Sequence, residues 1–398
     1  MAKRTIVAMP GDGIGKVVLD EAIRVLEAAG FEADYVNGDI GWEFWCNEGN
    51  PLPERTTDLI KKHKIGLFGA ITSKPKDAAF EELSPALKEK GLVYSSPIVG
   101  LRQHFGLDIC LRPCRTYKGN PLNFIRRGAG NTIEEPQVDV PIFRQNTEGL
   151  YGGVEWSNPP KQVYDALMTH PKFEKNFGHQ PVEEISVSTR IFTKKHTERI
   201  LRAAFDYARK YGYKSVTVCE KPNVIRETSG MMYKMAQELQ KADYPEIQLW
   251  NTNIDAQMMW LTKNPETYGV IVAGNMFGDI VSDGFAGLIG GLGFACSAQF
   301  NPDSGIGVFE PTHGSAPKYA DYPVSIVNPI AMVESACMML DFINENEIAA
   351  KIRKAVAEVI EEGEVRTYDM MKMTGRADVV EKGAASTQQM ADAIIAKL

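Results

Sequence analysis

The stretch Gly269-Val-Ile-Val-Ala-Gly-Asn-Met-Phe-Gly-Asp-Ile-Val-Ser-Asp283 sets the fold class and points to the chemistry. Its first half, an apolar run bounded by glycines, reads as a buried strand ending in a loop. Its second half places Asp279 and Asp283 four residues apart. On a helix that puts both carboxylates on one face, about one turn from each other. A strand feeding a helix is one unit of an α/β chain, and open α/β sheets bind ligands just beyond their strand ends. Like charges at this spacing repel by roughly 0.2–0.5 kcal/mol. A hard cation such as Mg2+ or Mn2+ turns that cost into binding. A solvated acidic helix face has the same D-x-x-x-D spacing. The apolar, glycine-rich flank Phe285-Ala-Gly-Leu-Ile-Gly-Gly-Leu-Gly293 weighs against it, because such a face would carry Lys and Glu.

Outward from this segment the same alternation recurs. Strand-like runs at 4–9, 65–70, 185–189 and 215–219 are interleaved with helical patterns at 17–29, 193–211 and through 239, as in an α/β protein. Residues 346–362 have the pattern of an amphipathic surface helix. Residues 149–181, rich in Gly, Pro, Asn and aromatics, are expected to be the least regular part, an excursion from the domain. The chain has 398 residues, enough for two domains or one large α/β unit. A net charge of −7 argues against a nucleic-acid binder, although a local cluster of arginines can still attract an anionic ligand. The six cysteines are scattered without paired zinc spacing, which suits reduced thiols and a cytoplasmic location. The N-terminus lacks the apolar core of a signal peptide, and no apolar run is long enough to span a membrane.

Pro10-Gly-Asp-Gly-Ile-Gly15 follows a strand and precedes a helix. It fails the Rossmann dinucleotide fingerprint, because the third glycine should stand where Lys16 is. Two readings stay open: a tight strand-to-helix turn, or a turn whose Asp12 meets a ligand. Arg102, Arg112 and Arg144 lie in distinctive settings. Each alone reads as a surface ion pair; converging, they would suit a substrate with two or three carboxylates. Tyr151 follows a turn, and Lys221 follows a strand end where a partly buried lysine can serve as a base. The histidines show no metal-ligand spacing and read as structural, His313 excepted. In Glu310-Pro-Thr-His-Gly-Ser-Ala-Pro-Lys-Tyr-Ala320 small residues allow close backbone approach to a phosphate or adenine, and Lys318 offers a charge for a phosphate. A plain Gly/Pro turn fits that run equally well.

Six segments in register resemble the isocitrate/isopropylmalate dehydrogenase family of β-decarboxylating dehydrogenases. They are Pro10–Gly15, Leu101-Arg102 with Arg112-Pro113, Arg144-Gln-Asn-Thr-Glu-Gly-Leu-Tyr151, Lys221-Pro-Asn223, Gly278–Asp283 and Glu310–Pro317. The resemblance implies a fold of two α/β domains flanking a cleft, not a Rossmann fold. Residues 1–107 with 290–398 would form the large cofactor-binding domain. Residues 108–289 would form the smaller substrate and dimerisation domain, including a clasp-like region at 149–193. It implies homodimers or larger homo-oligomers with shared sites. Mg2+ or Mn2+ would be held by Asp279, Asp283 and the partner subunit's Asp255. The partner subunit's Lys221 would help take the hydroxyl proton, and Tyr151 would return a proton to the enol carbon. Ser96, Arg102, Arg112, Arg144 and Asn223 would bind a small di- or tricarboxylate 2-hydroxy acid. Thr72, Glu310, His313, Gly314, Ser315, Ala316, Lys318, Tyr319, Asn328, Tyr368 and Lys372 would contact the cofactor.

Within the family, Lys318-Tyr319, Tyr368 and Lys372 look like the NADP-dependent isocitrate enzymes; NAD-dependent members usually carry Asp-Ile at the first pair. Isocitrate enzymes usually carry Ser-x-Asn before Leu-Arg. Here Ser96 fits, but Ile98 stands in place of Asn. Tyr94-Ser-Ser-Pro-Ile-Val99 and Ala385-Ser-Thr-Gln-Gln389 are similar to homoisocitrate dehydrogenases, and Ile98 with Val99 could face an alkyl group as in isopropylmalate enzymes. The expected reaction is NADP-dependent oxidative decarboxylation of isocitrate, with NAD-dependent homoisocitrate or 3-isopropylmalate oxidation as the alternative. A regulatory subunit without turnover would usually have lost the metal aspartates, the tyrosine or the lysine, and all are present here.

Overall fold

A computed structural model describes residues 3–398. Ten strands form one sheet: β1 (Arg4–Gly11), β2 (Ala33–Asn37), β3 (Ile65–Ala70), β4 (Ile109–Arg115), β5 (Asp139–Gln145), β6 (Ser215–Glu220), β7 (Gln248–Asn253), β8 (Val270–Ala273), β9 (Cys296–Asn301) and β10 (Ile306–Pro311). Their spatial order is β7-β6-β8-β5-β4-β9-β10-β3-β1-β2. Neighbours within β2-β1-β3-β10 are parallel, as are those within β5-β8-β6-β7. The β10–β9, β9–β4 and β4–β5 pairs joining the two blocks are antiparallel. The blocks therefore run in opposite directions, and the arginine-bearing strands β4 and β5 lie at their junction. The sheet is open and mixed, and helices cover it.

Strands β3, β6, β8 and β10 are buried along their whole length, as continuous apolar runs covered on both faces require. The helix Ile330–Phe342 is buried at every position from Ile330 to Leu340, which is how a helix apolar all round must pack. Its Glu334 is satisfied by the Tyr117 hydroxyl at 2.6 Å and by Arg353 at 3.1 Å. The helix expected at 346–362 forms as Asn346–Glu362 and buries the stripe Ala349, Ile352, Val356, Val359 and Ile360. Strand 185–189 forms only as the short Ser186–Ser188, which pairs with Glu155–Ser157 outside the main sheet.

The stretch 149–181 is more regular than expected. It contains two helices, Lys161–Met168 and Pro171–Phe177, neither with a buried residue. Pro160 precedes the first, and Pro171 opens the second, as prolines at helix starts do. Their aromatics meet one another, Tyr164 with Phe173 and Phe173 with Phe177, instead of a core.

The glycine-rich start is a structural turn. Gly11 has φ +68°, and a Cβ there would lie 1.9 Å from the Ala70 carbonyl oxygen. Gly13 has φ +55°, with its Cβ position 2.2 Å from the Ser315 carbonyl oxygen. Both Asp12 oxygens are engaged, one by the Trp42 N–H and one by the Thr72 N–H, each at 2.7 Å. Asp12 thus closes the turn onto its neighbours. Gly11→Ala combines a left-handed backbone with a backbone clash and should cost about 2–4 kcal/mol. A clearly lowered thermal midpoint is expected; a midpoint equal to wild type would show that the turn tolerates a side chain.

Candidate active site

Strand β8 passes through Gly274 into the helix Asn275–Leu288, and the register of that helix faces Asp279 and Asp283 toward β4 and β5. The helix approaches β5 closely at Gly278, where a Cβ would lie 2.7 Å from the Arg144 Cβ. Arg112 on β4 and Arg144 on β5 reach over this gap. Arg112 Nη1 donates to Asp279 Oδ1 at 2.9 Å, to Ser282 Oγ at 2.9 Å and to Asp283 Oδ1 at 3.3 Å. Arg144 donates to Asp279 Oδ1 and, through Nε and Nη2, to Asn275 Oδ1 at 3.0 and 2.8 Å. The Asp283 carboxyl is pushed up by burial and by Asp279, against the pull of Arg112 and Arg144. Asp279 and Asp283 therefore stand side by side on Arg112, two neighbouring carboxylates of the kind a divalent cation relieves.

Arg102, on the helix Pro97–Phe105 that Ser96 precedes, donates to Gln299 Oε1 at 2.5 Å and lies 3.5 Å from Glu310 Oε1. The three guanidinium groups converge. Burial, with Arg112 and Arg102 behind it, lowers Arg144 to about 10, so Arg144 stays charged at neutral pH, and guanidinium groups gathered in this way attract an anion. Tyr151 is 46% exposed, with the Arg144 guanidinium 5.7 Å from its ring centre. Burial raises the Tyr151 phenol, and Asp279 adds to that.

Lys221 ion-pairs with Asp255 at the β6 and β7 ends of the sheet, and that contact holds the Asp255 carboxyl below its ordinary range. Among the described residues no three His, Cys, Asp or Glu side chains gather as a metal site. One chain thus does not gather Asp255 with Asp279 and Asp283, and the hydrogen-bond partner of Lys221 Nζ is Asp255, not Tyr151. Asn223 lies exposed beyond Lys221, without contact to the arginine cluster. Beside this pair Trp250, Met259, Trp260 and Val224 are exposed, large apolar groups at a bare sheet edge.

The residues expected at the cofactor fall into two connected groups. Thr72 Oγ1 and Ser315 Oγ are 2.6 Å apart, and Ala316 beside them has φ +39°. Thr312 Oγ1 and His313 Nε2 on the same loop are buried without a hydrogen-bond partner, donors and acceptors that a ligand's polar edge would satisfy. Burial lowers the His313 imidazole, which favours its neutral form. The second group is aromatic. The Tyr319 ring lies 5.7 Å from both Tyr322 and Tyr368, and Lys318 Nζ stands 5.5 Å from the Tyr319 ring centre. Asn328 is buried and donates to Asp369, next to Tyr368. Lys372 is exposed with φ +56°. Glu310 accepts from Gln299 and reaches this loop only through its backbone on β10.

Four polar residues of the site escaped the sequence reading: Asn275, Gln299, Glu220 and Arg190. Asn275 Nδ2 donates to the Glu148 carbonyl at 3.0 Å while its Oδ1 holds Arg144. Gln299 joins Arg102, Asn146 and Glu310. For Asn275 a signal was available, a polar residue opening a helix just past a buried strand.

The sequence profile of the isocitrate/isopropylmalate dehydrogenase family matches residues 5–394. The chain is 39% identical over 392 residues to protein DlpA of Legionella pneumophila, covering 98% of this chain but 58% of that protein. It is 37% identical over 352 residues to homoisocitrate dehydrogenase of Methanocaldococcus jannaschii, covering 88% of each. The crystal structure of isocitrate dehydrogenase from Methylococcus capsulatus superposes with a TM-score of 0.79 at 34% identity, over 99% of each chain. Sequence and fold together place the chain among the β-decarboxylating dehydrogenases. The chain belongs to the isocitrate/isopropylmalate dehydrogenase family, whose members act on 2-hydroxy acids with NAD or NADP and a divalent metal.

Proposed function

We propose that the protein oxidises and decarboxylates isocitrate to 2-oxoglutarate and CO2, with hydride transfer to NADP. The observation that carries this reading is the convergence of Arg102, Arg112 and Arg144 beside Asp279 and Asp283. Three cations at one point match three carboxylates, and bidentate guanidinium contacts fix where the reacting carbon sits. A Mg2+ or Mn2+ ion held by Asp279, Asp283 and Asp255 of the partner subunit would supply Lewis-acid polarisation of the hydroxyl and later carbonyl oxygen. NADP on the 310–320 loop would supply the hydride acceptor. Lys221 of the partner subunit takes the hydroxyl proton as the hydride leaves C2. After CO2 departs, Tyr151 returns a proton to the enol carbon. On this reading, residues 1–107 with 290–398 and residues 108–289 are the two domains lining the cleft, and the location is cytoplasmic, in keeping with six free cysteines.

The second reading is NAD-dependent oxidation of homoisocitrate or 3-isopropylmalate. Ile98, in the place of the usual Asn, packs against the core cluster of Val7, Met9 and Leu101, and Val99 next to it is exposed. The helix therefore offers apolar surface where isocitrate enzymes offer an amide. Initial rates with isocitrate, homoisocitrate and 3-isopropylmalate, each with NAD and NADP, test the choice. The highest kcat/KM is expected for isocitrate with NADP, and a higher value for either other substrate would displace the first reading.

A shared site makes a separate demand. Neither Lys221→Ala nor Tyr151→Phe homodimers have an intact centre. After subunit exchange each heterodimer has one unaltered site, so about one quarter of wild-type turnover should return. No recovery after demonstrated exchange would count against sites built from two subunits.

A further inference from the structure

Glu220 closes strand β6 directly before Lys221 and is 0% exposed. Such a carboxylate needs partners for every lone pair it keeps. One oxygen, Oε2, accepts from Arg190 Nη2 at 2.7 Å and from Ser229 Oγ at 2.6 Å. The other, Oε1, accepts from the backbone N–H of Gly274 at 2.7 Å. Gly274 is the residue at which the helix bearing Asp279 and Asp283 begins. The fit is tight: a Cβ on Gly274 would lie 2.6 Å from Glu220 Oε1 and 2.6 Å from Phe192. Arg190 extends the node, its guanidinium 4.5 Å from the Phe192 ring centre and 5.0 Å from that of Phe277, which belongs to the same helix. The Lys221 N–H in turn points at Ser229 Oγ, 3.4 Å away.

We propose that Glu220 is a positioning residue that ties Lys221 to the helix carrying Asp279 and Asp283, and so links the two active sites of a dimer. The proposal rests on the shared-site reading. There, Lys221 serves the partner's centre, while Asp279 and Asp283 serve the chain's own. Glu220 Oε1 holds the start of the aspartate helix, and Oε2 holds Ser229, whose hydroxyl the Lys221 N–H also meets. Glutamine has the same shape but one acceptor, so Glu220→Gln must turn an N–H either toward Gly274 or toward Arg190. Either choice disturbs one or both anchors.

Heterodimers separate the two limbs. Pairing Glu220→Gln with Asp283→Asn leaves one site, whose aspartates come from the Glu220→Gln subunit. Its half-saturating Mg2+ concentration should rise about fivefold or more over a wild-type/Asp283→Asn heterodimer. Pairing Glu220→Gln with Lys221→Ala leaves a site that takes its lysine from the Glu220→Gln subunit. Here kcat should fall about fivefold or more against a wild-type/Lys221→Ala heterodimer, with the Mg2+ requirement unchanged. If the single variant is unstable because Arg190 loses its counter-charge, Glu220→Asp keeps that charge but is one methylene too short to reach both Gly274 and Arg190, and the same two-limb pattern is expected. A change in either heterodimer supports the anchor it reads; a change in neither overturns the proposal. Lack of activity in a Lys221→Ala/Asp283→Asn heterodimer overturns the shared site itself and with it this link. That outcome is told apart because it involves no change at Glu220.

Discussion

Asp283→Asn is expected to abolish turnover while leaving the chain folded. The Asp283 side chain is 60% exposed and its one protein contact is the 3.3 Å bond from Arg112, so little packing depends on it. Arg112 retains Asp279 and Ser282. Asparagine also removes the like charge beside Asp279, so the metal-free variant should unfold at or slightly above the wild-type temperature. What it loses is an anionic oxygen for the cation. A loss of even about 3 kcal/mol of transition-state stabilisation lowers kcat/KM by more than about 100-fold. Chelation by EDTA should have the same effect on the wild-type enzyme, reversed by Mg2+ or Mn2+. Calorimetric titration should show that Mg2+ binding is weakened in the variant. Full turnover by verified metal-free enzyme would sink the assignment.

The pair Asp279 and Asp283 was legible because its information is local. Strand period, then helix period, with two carboxylates one turn apart and glycines where the helix meets β5, all lie within fifteen consecutive residues from Gly269 to Asp283. The buried strands β3, β6 and β8 were legible for the same reason. The partners of those residues were not. Arg112 meets Asp279 across 167 positions, and Arg102 meets Gln299 across 197; no spacing rule reaches that far. Glu220 gave no signal either, since an acid at a strand end usually points to water, and only the assembled structure reveals that it faces Arg190 and Gly274. The helices at 161–177 were missed because loop composition hid them: their prolines start helices, and their apolar side chains find no core within one chain. The arginines lay between these cases. Their residue type suggested carboxylate recognition, while their convergence had to wait for the antiparallel pairing of β4 with β5.

Cofactor choice should change with few residues. NADP differs from NAD by a 2′-phosphate that carries nearly two negative charges at neutral pH. A site preferring it must offer cations and donors and withhold carboxylates. Lys318 is exposed and its ammonium stands 5.5 Å from the centre of the Tyr319 ring, which is held between Tyr322 and Tyr368, with the exposed Lys372 four residues beyond Tyr368. A charge-assisted contact contributes roughly 1.5–3 kcal/mol, and about 1.4 kcal/mol is tenfold in affinity. NADP should therefore be preferred by at least about tenfold in kcat/KM. Lys318→Asp with Tyr319→Ile should weaken NADP and favour NAD, because the new carboxylate repels the phosphate and accepts from the free ribose hydroxyls. Tyr319→Ile also removes a ring from the aromatic cluster, so Tyr319→Phe isolates the hydroxyl: it should lose part of the NADP preference with thermal stability unchanged. The competing arrangement has Lys318 solvated and NAD as the working cofactor, as for the homoisocitrate reading. Wild-type enzyme with a higher kcat/KM for NAD than for NADP would establish that arrangement, and would move the preferred substrate toward homoisocitrate with it.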